Sequence, residues 1–268
     1  MSRVIAIANQ KGGVGKTTTA INLGAGLAVA ERRTLIVDMD PQGNATSGMG
    51  LDRAQLTGSI YDVLIEGMSM ADVRREQVHF PFLDIVPSSQ DLVGSEVELV
   101  DRPQRELVLR KALVSIRDEY DYVLLDCPPS LGLLTLNTLA AADTVLIPIQ
   151  CEFYALEGLS QLLNTVRLVQ QNLNPRLQIE GVLLTMYDQR LNLSRQVAEE
   201  ATEYFGSRVF KSVIPRNVRL AEAPSFGKPI VLYDILSAGA QSYLTLANEI
   251  IGHDSMPEGT LSAAPEAS

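Results

Sequence analysis

Short runs of apolar residues alternate along the chain with longer amphipathic stretches. Most of the short runs are continuously apolar, which is typical of strands buried on both faces of a parallel sheet. The stretches between them, such as 105–117, 156–171 and 194–204, carry apolar residues at helical spacing. We therefore predict an α/β fold with a doubly wound, mostly parallel sheet and helices on both faces. The predicted strands are 4–8, 34–38, 122–126, 144–149, 181–185 and 209–214.

The composition fits one globular domain, and it bears on whether the protein crosses a membrane, is secreted or lies in a reducing compartment. Of the 268 residues, 46% are hydrophobic, and no apolar run approaches the ~18 residues that a membrane span needs. Only three residues precede the first predicted strand, so we expect no signal peptide. Cys127 and Cys151 lack the spacing of a metal site and suggest a reducing, cytoplasmic compartment. We assign residues 1–252 to a single domain and expect 253–268, which are small, polar and proline-bearing, to form a disordered tail.

A glycine-rich segment, Lys-Gly-Gly-Val-Gly-Lys-Thr-Thr, follows the first predicted strand and precedes a helical stretch. In this context such a loop binds phosphate, because its backbone N–H groups and the helix N-terminus surround the anion. Lys16 would reach the β and γ phosphates of a nucleotide, and the Thr17 hydroxyl would contact Mg²⁺. The predicted nucleotide-binding residues of the loop are Lys11, Gly12, Gly13, Val14, Gly15, Lys16, Thr17 and Thr18.

The loop departs from the common phosphate-loop pattern at its start. Gln10 stands where the first glycine of G-x-x-x-x-G-K-[ST] is expected, and Lys11 follows it. This deviant form, K-G-G-x-G-K-[ST], resembles the ParA/MinD class of P-loop ATPases. The resemblance implies an ATPase that forms a homodimer on binding ATP, with Gly12 where the two backbones meet. It also implies that Lys11 reaches the partner's phosphates, where a cation stabilises γ-phosphate charge much as an arginine finger does.

Two predicted strands end in aspartates, at the edge where doubly wound sheets bind ligands. Asp38 and Asp40 are two positions apart, so their side chains point the same way, and Asp126 ends another strand. Alone, each is as readily a helix cap or a turn residue. Beside the phosphate loop, the segment around Asp40 resembles the Walker A′ motif and Asp126 resembles the Walker B carboxylate. The resemblance implies that Asp40 positions the attacking water, while Asp38 and Asp126 support Mg²⁺.

Two further segments have predicted roles in the site. Residues 130–137 would sense the γ-phosphate and report it to the dimer face. Residues 214–217, Ile-Pro-Arg-Asn, resemble the loop that packs on adenine, which implies that Pro215 contacts the ring and Asn217 makes polar contacts with it. An ordinary exit from a strand into a loop is the alternative for this second segment.

The distribution of charge along the chain indicates what kind of partner an ATP-dependent dimer would bind. The net charge of −10 by itself argues against a nucleic-acid partner. Residues 190–228, however, contain seven Lys or Arg against four Glu, so this segment is +3 and the remainder of the chain is −13. Two copies joined by ATP would double this basic surface and make nonspecific DNA binding depend on nucleotide. Charge alone favours the alternative, a few solvated arginines on an acidic protein.

Segments in the second half of the chain narrow the resemblance. Residues 181–188 and 214–225 resemble the chromosomal ParA branch, the Soj proteins, and the resemblance runs from residue 2 to about residue 250. It implies that Arg190 and Arg219 contact double-stranded DNA and that a centromere-binding ParB-type partner stimulates hydrolysis. The protein would then be a nucleoid-associated partitioning ATPase that uses ATP and Mg²⁺. Because so few residues precede the first strand, we expect no helix-turn-helix domain that reads a specific operator.

Two alternatives share the nucleotide-binding motifs. A MinD-like division regulator would end in a basic amphipathic membrane helix, but no lysine or arginine follows Lys228, so we expect no membrane partner. A metallocluster carrier of the nitrogenase iron-protein type would need paired cysteines across the dimer, and Cys127 has no companion at such a spacing.

Overall fold

The computed structural model describes residues 2–152 and 157–254. Its centre is a sheet of six strands, all parallel, in the order β3-β2-β4-β1-β5-β6. The strands are β1 Arg3–Ile7, β2 Thr34–Asp38, β3 Leu83–Val86, β4 Tyr122–Asp126, β5 Thr144–Gln150 and β6 Gln178–Thr185.

Helices of the described residues connect and cover these strands. Short 3₁₀ turns and one π-turn, at Asp62–Glu66, lie in the connections. The α-helices are α1 Lys16–Val29, α2 Asn44–Gly48, α3 Met70–Val73, α4 Leu92–Glu98, α5 Val108–Leu113, α6 Leu133–Ala141, α7 Glu157–Asn172, α8 Asn192–Phe205, α9 Val218–Glu222, α10 Ile230–Tyr233 and α11 Ala238–Asp254.

Side chains alternate across each strand, which gives the sheet two apolar faces. In β1, Val4 and Ala6 pack into a layer with residues of α5, α6 and α7. Ile5 and Ile7 pack into the other layer, with residues of α1 and α11. Both faces of the sheet are therefore covered, and the prediction of a doubly wound α/β fold is confirmed.

The order of the strands opens a crevice at one edge of the sheet. From β1 the chain crosses to β2 on one side, whereas β4 leads to β5 on the other side of β1. Such a reversal leaves a crevice outside the carboxyl ends of the strands. Ile7 and Asp38 both lie opposite Asp126 in the strand register, so the ends of β1, β2 and β4 are level at this edge.

The predicted strand at 209–214 is wrong, although the segment runs beside β6. Phe210 N donates to a carbonyl of β6 at 3.0 Å. The next two backbone N–H groups, of Lys211 and Ser212, donate instead to the Glu249 carboxylate of α11 at 2.7 and 2.9 Å. Because a side chain takes these donors, the segment forms isolated contacts with β6 rather than a ladder.

Other elements differ from the prediction in smaller ways. Five of the six strands were predicted, and the one that was not predicted is β3. The helix predicted over 105–117 is divided, since α5 lies between 3₁₀ turns at Arg105–Leu107 and Arg117–Glu119. Helix α11 extends through His253, where the tail was predicted to begin, and residues 255–268 lie outside the described residues. No helix in the described ranges is both long enough and apolar enough to cross a membrane.

Candidate functional site

The glycine-rich loop joins β1 to α1 at the crevice. Gly13 and Gly15 have φ values of +74° and +89°, in the left-handed region that favours glycine. Among the described residues, nothing lies within 4 Å of the position that a Cβ would take on Gly12 or Gly13. The loop thus combines a backbone that only glycine adopts readily with open space for a phosphate group.

Side chains from neighbouring strands hold the loop in place. Asn9, directly after β1, donates from Nδ2 to Pro148 O on β5 at 2.7 Å and accepts from Lys11 N at 3.0 Å. Thr185, the last residue of β6, donates from Oγ1 to Val14 O at 2.9 Å. Sequence reasoning did not assign a site role to Asn9 or Thr185. The only feature of the sequence that could have indicated them is that each is a polar residue at the end of a buried strand.

Lys16 opens helix α1 and curls back over the loop, where its Nζ donates to Lys11 O at 3.2 Å. The residue is only 6% exposed. Burial lowers the pKa of Lys16, while the Asp126, Cys127 and Asp40 side chains act in the opposite direction. The ammonium group therefore lies between the loop and the strand-end carboxylates. The two threonines that follow it, at 17 and 18, are half-buried in the first turn of α1.

Asp38 is the last residue of β2 and is fully buried, and its carboxylate accepts hydrogen bonds from nearby residues of the same chain. It accepts hydrogen bonds from Thr46 N at 2.8 Å, Thr46 Oγ1 at 2.7 Å and Asp40 N at 3.2 Å. Burial raises the pKa of Asp38 to about 6, although these hydrogen bonds oppose the shift. Thr46, on α2, was not predicted to belong to the site. The predicted metal-supporting residue thus anchors the turn after β2.

Asp126 ends β4 opposite Asp38 and is equally buried, but its carboxylate is unpaired. Neither oxygen accepts a hydrogen bond from any residue in the described ranges. Burial and the neighbouring Asp38 charge raise the pKa of Asp126 well above its usual range. The Thr17 hydroxyl is near enough to lower that pKa somewhat, although it lacks hydrogen-bond geometry.

An unpaired buried carboxylate next to a threonine hydroxyl and a phosphate loop fits Mg²⁺, a hard cation that takes oxygen ligands. Within the described ranges, no three His, Cys, Asp or Glu side chains converge into a ready-made metal site. Mg²⁺ is usually held by one or two carboxylates and completed by substrate phosphates and water. Asp126 and Thr17 match that kind of incomplete site.

Asp40 lies in the turn after β2, at the same edge. Its Oδ1 accepts from Gln42 N at 2.9 Å, and its carbonyl accepts from Ser88 Oγ, after β3, at 2.8 Å. The residue is 6% exposed. Asp40 therefore has a fixed backbone and a carboxylate close to Lys16, whose pKa it affects.

Lys11 and Gly12 form the outer rim of the loop. The main chain of Lys11 is engaged at both ends, but its ammonium has no hydrogen bond or ion pair within the described ranges. Gly12 is exposed, and a Cβ there would meet open space. The protomer itself gives no reason for a glycine or a lysine at these two positions.

The predicted adenine-contacting residues lie in the segment between β6 and α9. Asn217 caps α9, since its Oδ1 accepts from Arg219 N at 2.8 Å, which leaves its amide nitrogen for another partner. Pro215 pairs with Tyr187, just beyond β6. The structure thus places both residues on a loop that is fixed to the strand next to the phosphate loop.

The two predicted DNA-contacting arginines are exposed and ion-paired. Arg190 binds Asp188 through two nitrogens, at 2.6 and 2.9 Å, and the Arg190 guanidinium lowers the pKa of Asp188 to about 2. Arg219 lies 2.9 Å from Glu222 and 3.5 Å from Asp234. Asp188 and Asp234 fall outside the basic segment at 190–228, so the sequence count overstated the local positive charge.

Comparison with known proteins agrees with this geometry. Residues 2–179 match the AAA_31 family, described as an AAA domain. The chain is 59% identical over 254 residues to the chromosome partitioning protein ParA of Myxococcus xanthus, covering 95% of this chain and 89% of the relative. It is 58% identical over 250 residues to the sporulation initiation inhibitor protein Soj of Bacillus subtilis, covering 93% and 98%.

Among solved structures, cobyrinic acid a,c-diamide synthase of Mycobacterium smegmatis, with a bound ATP analogue and magnesium, is 37% identical. The match covers 98% of this chain and 99% of that one, with a TM-score of 0.84. The deviant phosphate loop, the parallel sheet and these identities together lead to one conclusion: the chain belongs to the ParA/Soj family of P-loop ATPases.

Proposed function

We propose that this protein is an ATP-driven switch that dimerises, binds DNA without sequence preference and acts in chromosome or plasmid partitioning with a ParB-type partner. It is an ATPase, and ATP and Mg²⁺ are its cofactors. The observation that carries the proposal is the rim of the phosphate loop, where a lysine without a partner in the described ranges stands next to a glycine in open space.

The nucleotide chemistry follows from the residues at the strand ends. In the proposed site, Lys16 exchanges its contact with the Lys11 carbonyl for phosphate oxygens, and Thr17 and Asp126 support Mg²⁺. Mg²⁺ supplies positive charge against the phosphates when it is bound. Asp40, held rigidly by its main chain, orients the attacking water. Phosphoryl transfer needs such positioning and charge neutralisation rather than a covalent catalyst.

Dimerisation is the proposed role of the loop rim. The Lys11 ammonium reaches the γ-phosphate bound by the second protomer, so the two copies hold together only while ATP is present. Close approach of the two backbones requires a residue without a side chain at Gly12. Support for this comes from the open surroundings of Gly12 in the protomer, because a glycine is not needed there for internal packing.

DNA binding is the proposed role of the surface beyond β6. The loop after β6 is tied to the segment before α9, since Tyr187 N donates to Ile214 O at 3.0 Å and Arg216 N donates to Tyr187 O at 3.1 Å. This connection brings Arg190 and Arg216 to one surface. Arg190 pairs with Asp188 and Arg216 pairs with Glu152, each at 2.6 Å. Both ion pairs are exposed and screened by solvent, so a DNA phosphate displaces the carboxylates at small cost.

The alternatives have less support. In a MinD-like regulator a C-terminal helix would bind a membrane. Tyr243 and Leu246 of α11, the last helix in the described ranges, are instead buried against α1, which makes this helix part of the core. The name of the M. smegmatis structure indicates another reaction, yet its identity of 37% is lower than the 59% to the partitioning relative.

DNA binding by the purified protein tests the proposal. A fragment of arbitrary sequence is titrated over a range of salt concentrations with ATP, ADP or no nucleotide. We expect tight binding only with ATP. Arg219→Glu should lower the slope of log K against log salt by about 0.9 per lost phosphate contact, hence by about 2 in a dimer.

Arg176→Glu is the matched control, because Arg176 is exposed and lies before β6, at the opposite edge of the sheet from Arg190. It carries the same charge change and should leave the slope unaltered. Absence of binding in every nucleotide state, or an equal loss in the two variants, would refute the proposed DNA switch.

A further inference from the structure

Helix α4 and the turn that follows it expose a row of valines. Val93, Val97 and Val100 are 65%, 77% and 50% exposed. Because an α-helix has 3.6 residues per turn, these valines and Glu96 share one side of the helix, within an arc of about 100°. The other side is buried through residues such as Leu92. We call the group of Val93, Glu96, Val97 and Val100 the α4 face; its three valines are exposed and Glu96 is half-buried.

The α4 face adjoins the segment that is predicted to sense the γ-phosphate. Glu96 lies against Gly132, at the start of α6, so closely that a Cβ on Gly132 would collide with the Glu96 carboxylate. The Oε1 atom of Glu96 is buried and has no hydrogen-bond partner in the described ranges. A buried carboxylate oxygen without a donor is costly, and the described residues offer it none, so a small rotation of the half-buried Glu96 side chain toward an outside donor is favoured.

The charge around the face restricts what covers it. Residues 91–101 contain four acids, Asp91, Glu96, Glu98 and Asp101, and no lysine or arginine. Two arginines adjoin these acids. Arg102 donates to the main-chain carbonyl of Leu64 at 2.7 Å, and Arg105, which pairs with Glu106, donates to that of Val100 at 2.7 Å, so acidic charge remains in excess. Such an acidic surface repels DNA phosphates and anionic lipid headgroups, whereas it attracts a basic polypeptide.

We propose that the α4 face docks a segment of the partner protein that carries a row of apolar side chains flanked by lysine or arginine. The apolar row covers the three valines, and one cation pairs with Glu96 beside Gly132. This inference rests on the proposed function, in which a ParB-type protein stimulates hydrolysis. Docking at Glu96 would bring the partner's charge directly against the sensing segment.

A synthetic amphipathic peptide of leucine and lysine serves as the probe, with a serine-for-leucine peptide as its control. Binding of the labelled peptide to the full chain with Mg²⁺ and ATP is followed by fluorescence anisotropy. Val97→Lys should weaken binding about tenfold or more, equal to about 1.4 kcal/mol. Val114→Lys is the matched control, since Val114 is 70% exposed on a different element, and it should bind like the wild type. Glu96→Gln should weaken binding and reduce its dependence on salt.

Equal peptide binding by the Val97→Lys and Val114→Lys variants would overturn the proposal. Dimers that form without nucleotide and disappear in Val97→Lys would also overturn it, because a second copy would then cover the face. DNA binding measured on the same samples separates this inference from the proposed function. Val97→Lys should keep ATP-dependent DNA binding, whereas failure of the wild type to bind DNA would reject the switch without altering the peptide result.

Discussion

Asp38 and Asp126 form a matched pair of buried carboxylates that differ in their hydrogen bonds. Both are fully buried and opposite each other in the register, but Asp38 accepts three hydrogen bonds and Asp126 accepts none within the described ranges. We expect Asp126→Asn to stabilise the nucleotide-free protein, because the change removes a buried carboxylate that accepts no hydrogen bond while nearly preserving side-chain volume. The attraction of this carboxylate to the Lys16 ammonium is smaller than the cost of its burial. Asp38→Asn should destabilise it.

The expected changes in unfolding free energy follow from the hydrogen bonds and the buried charge that each substitution removes. Hydrogen bonds to a charged group contribute about 1.5–3 kcal/mol each and are not additive, and asparagine retains one acceptor oxygen, so Asp38→Asn should cost about 2–4 kcal/mol. At Asp126, the change removes a burial penalty of several kcal/mol. It also removes the attraction to the Lys16 ammonium, and the buried amide itself costs about 1–3 kcal/mol. A net gain of about 1–2 kcal/mol corresponds to a rise in Tm of about 2–8 °C.

Thermal unfolding by circular dichroism, at neutral pH with a chelator and without nucleotide, measures both variants. The assay is then repeated with Mg²⁺ and ATP, which stabilise the folded protein by mass action. The wild type should gain stability on this addition, and Asp126→Asn should gain much less. A Tm for Asp126→Asn below that of the wild type, similar to that of Asp38→Asn, would show that the attraction of Asp126 to Lys16 outweighs the cost of burying its carboxylate without a hydrogen bond.

Three further predictions use single substitutions. Gly12→Val should abolish ATP-dependent dimers in light scattering while leaving nucleotide affinity nearly intact; Gly252→Val, another glycine in open space, should not, and equal effects would reject the dimer role. Asp40→Ala should lose turnover yet trap the ATP-bound DNA complex, and loss of ATP binding would contradict its role. Glu180, 3.8 Å from His253, raises the pKa of that imidazole above 6.5. His253→Gln should therefore lower the Tm at pH 5.5 but not at pH 9, since this stabilisation is lost as the pH rises through the raised pKa; equal losses would argue against the ion pair.

The sequence predicted those parts of the fold that depend on residues close together along the chain. Continuous apolar runs identified five of the six strands, because buried parallel strands need no polar side chain. The carboxyl ends of such strands meet at one edge, so the sequence could place Asp38, Asp40 and Asp126 near the phosphate loop before any coordinates were known. The short strand β3 carries Asp84 between its apolar residues, and this break in the apolar run concealed it.

Contacts between distant residues could not be predicted in this way. Glu249 takes the backbone donors of residues 211 and 212 from 37 or more positions away, and nothing in the local pattern indicates it. The hydrogen bonds from Thr46 to the Asp38 carboxylate likewise depend on the position of α2 beside the end of β2. Ion pairs such as that of Arg219 with Asp234 join residues that a count over a fixed window separates.

Three charged groups at or beside the nucleotide site lack a hydrogen-bond or ion-pair partner in the described ranges, and their positions suggest an order of binding. The Asp126 carboxylate lies inside the site, the Lys11 ammonium at its rim, and the Glu96 Oε1 beside the sensing segment. In the proposed switch, magnesium nucleotide brings positive charge to Asp126 and offers Lys11 a phosphate only across a second protomer. Under this proposal, dimerisation follows nucleotide binding. The valines of the α4 face are exposed in the protomer independently of that step, so the effect of the proposed partner depends on whether Gly132 shifts when phosphate is bound. Each ligand then changes the affinity for the next by its differential contacts with the two states, and the coupling is reciprocal.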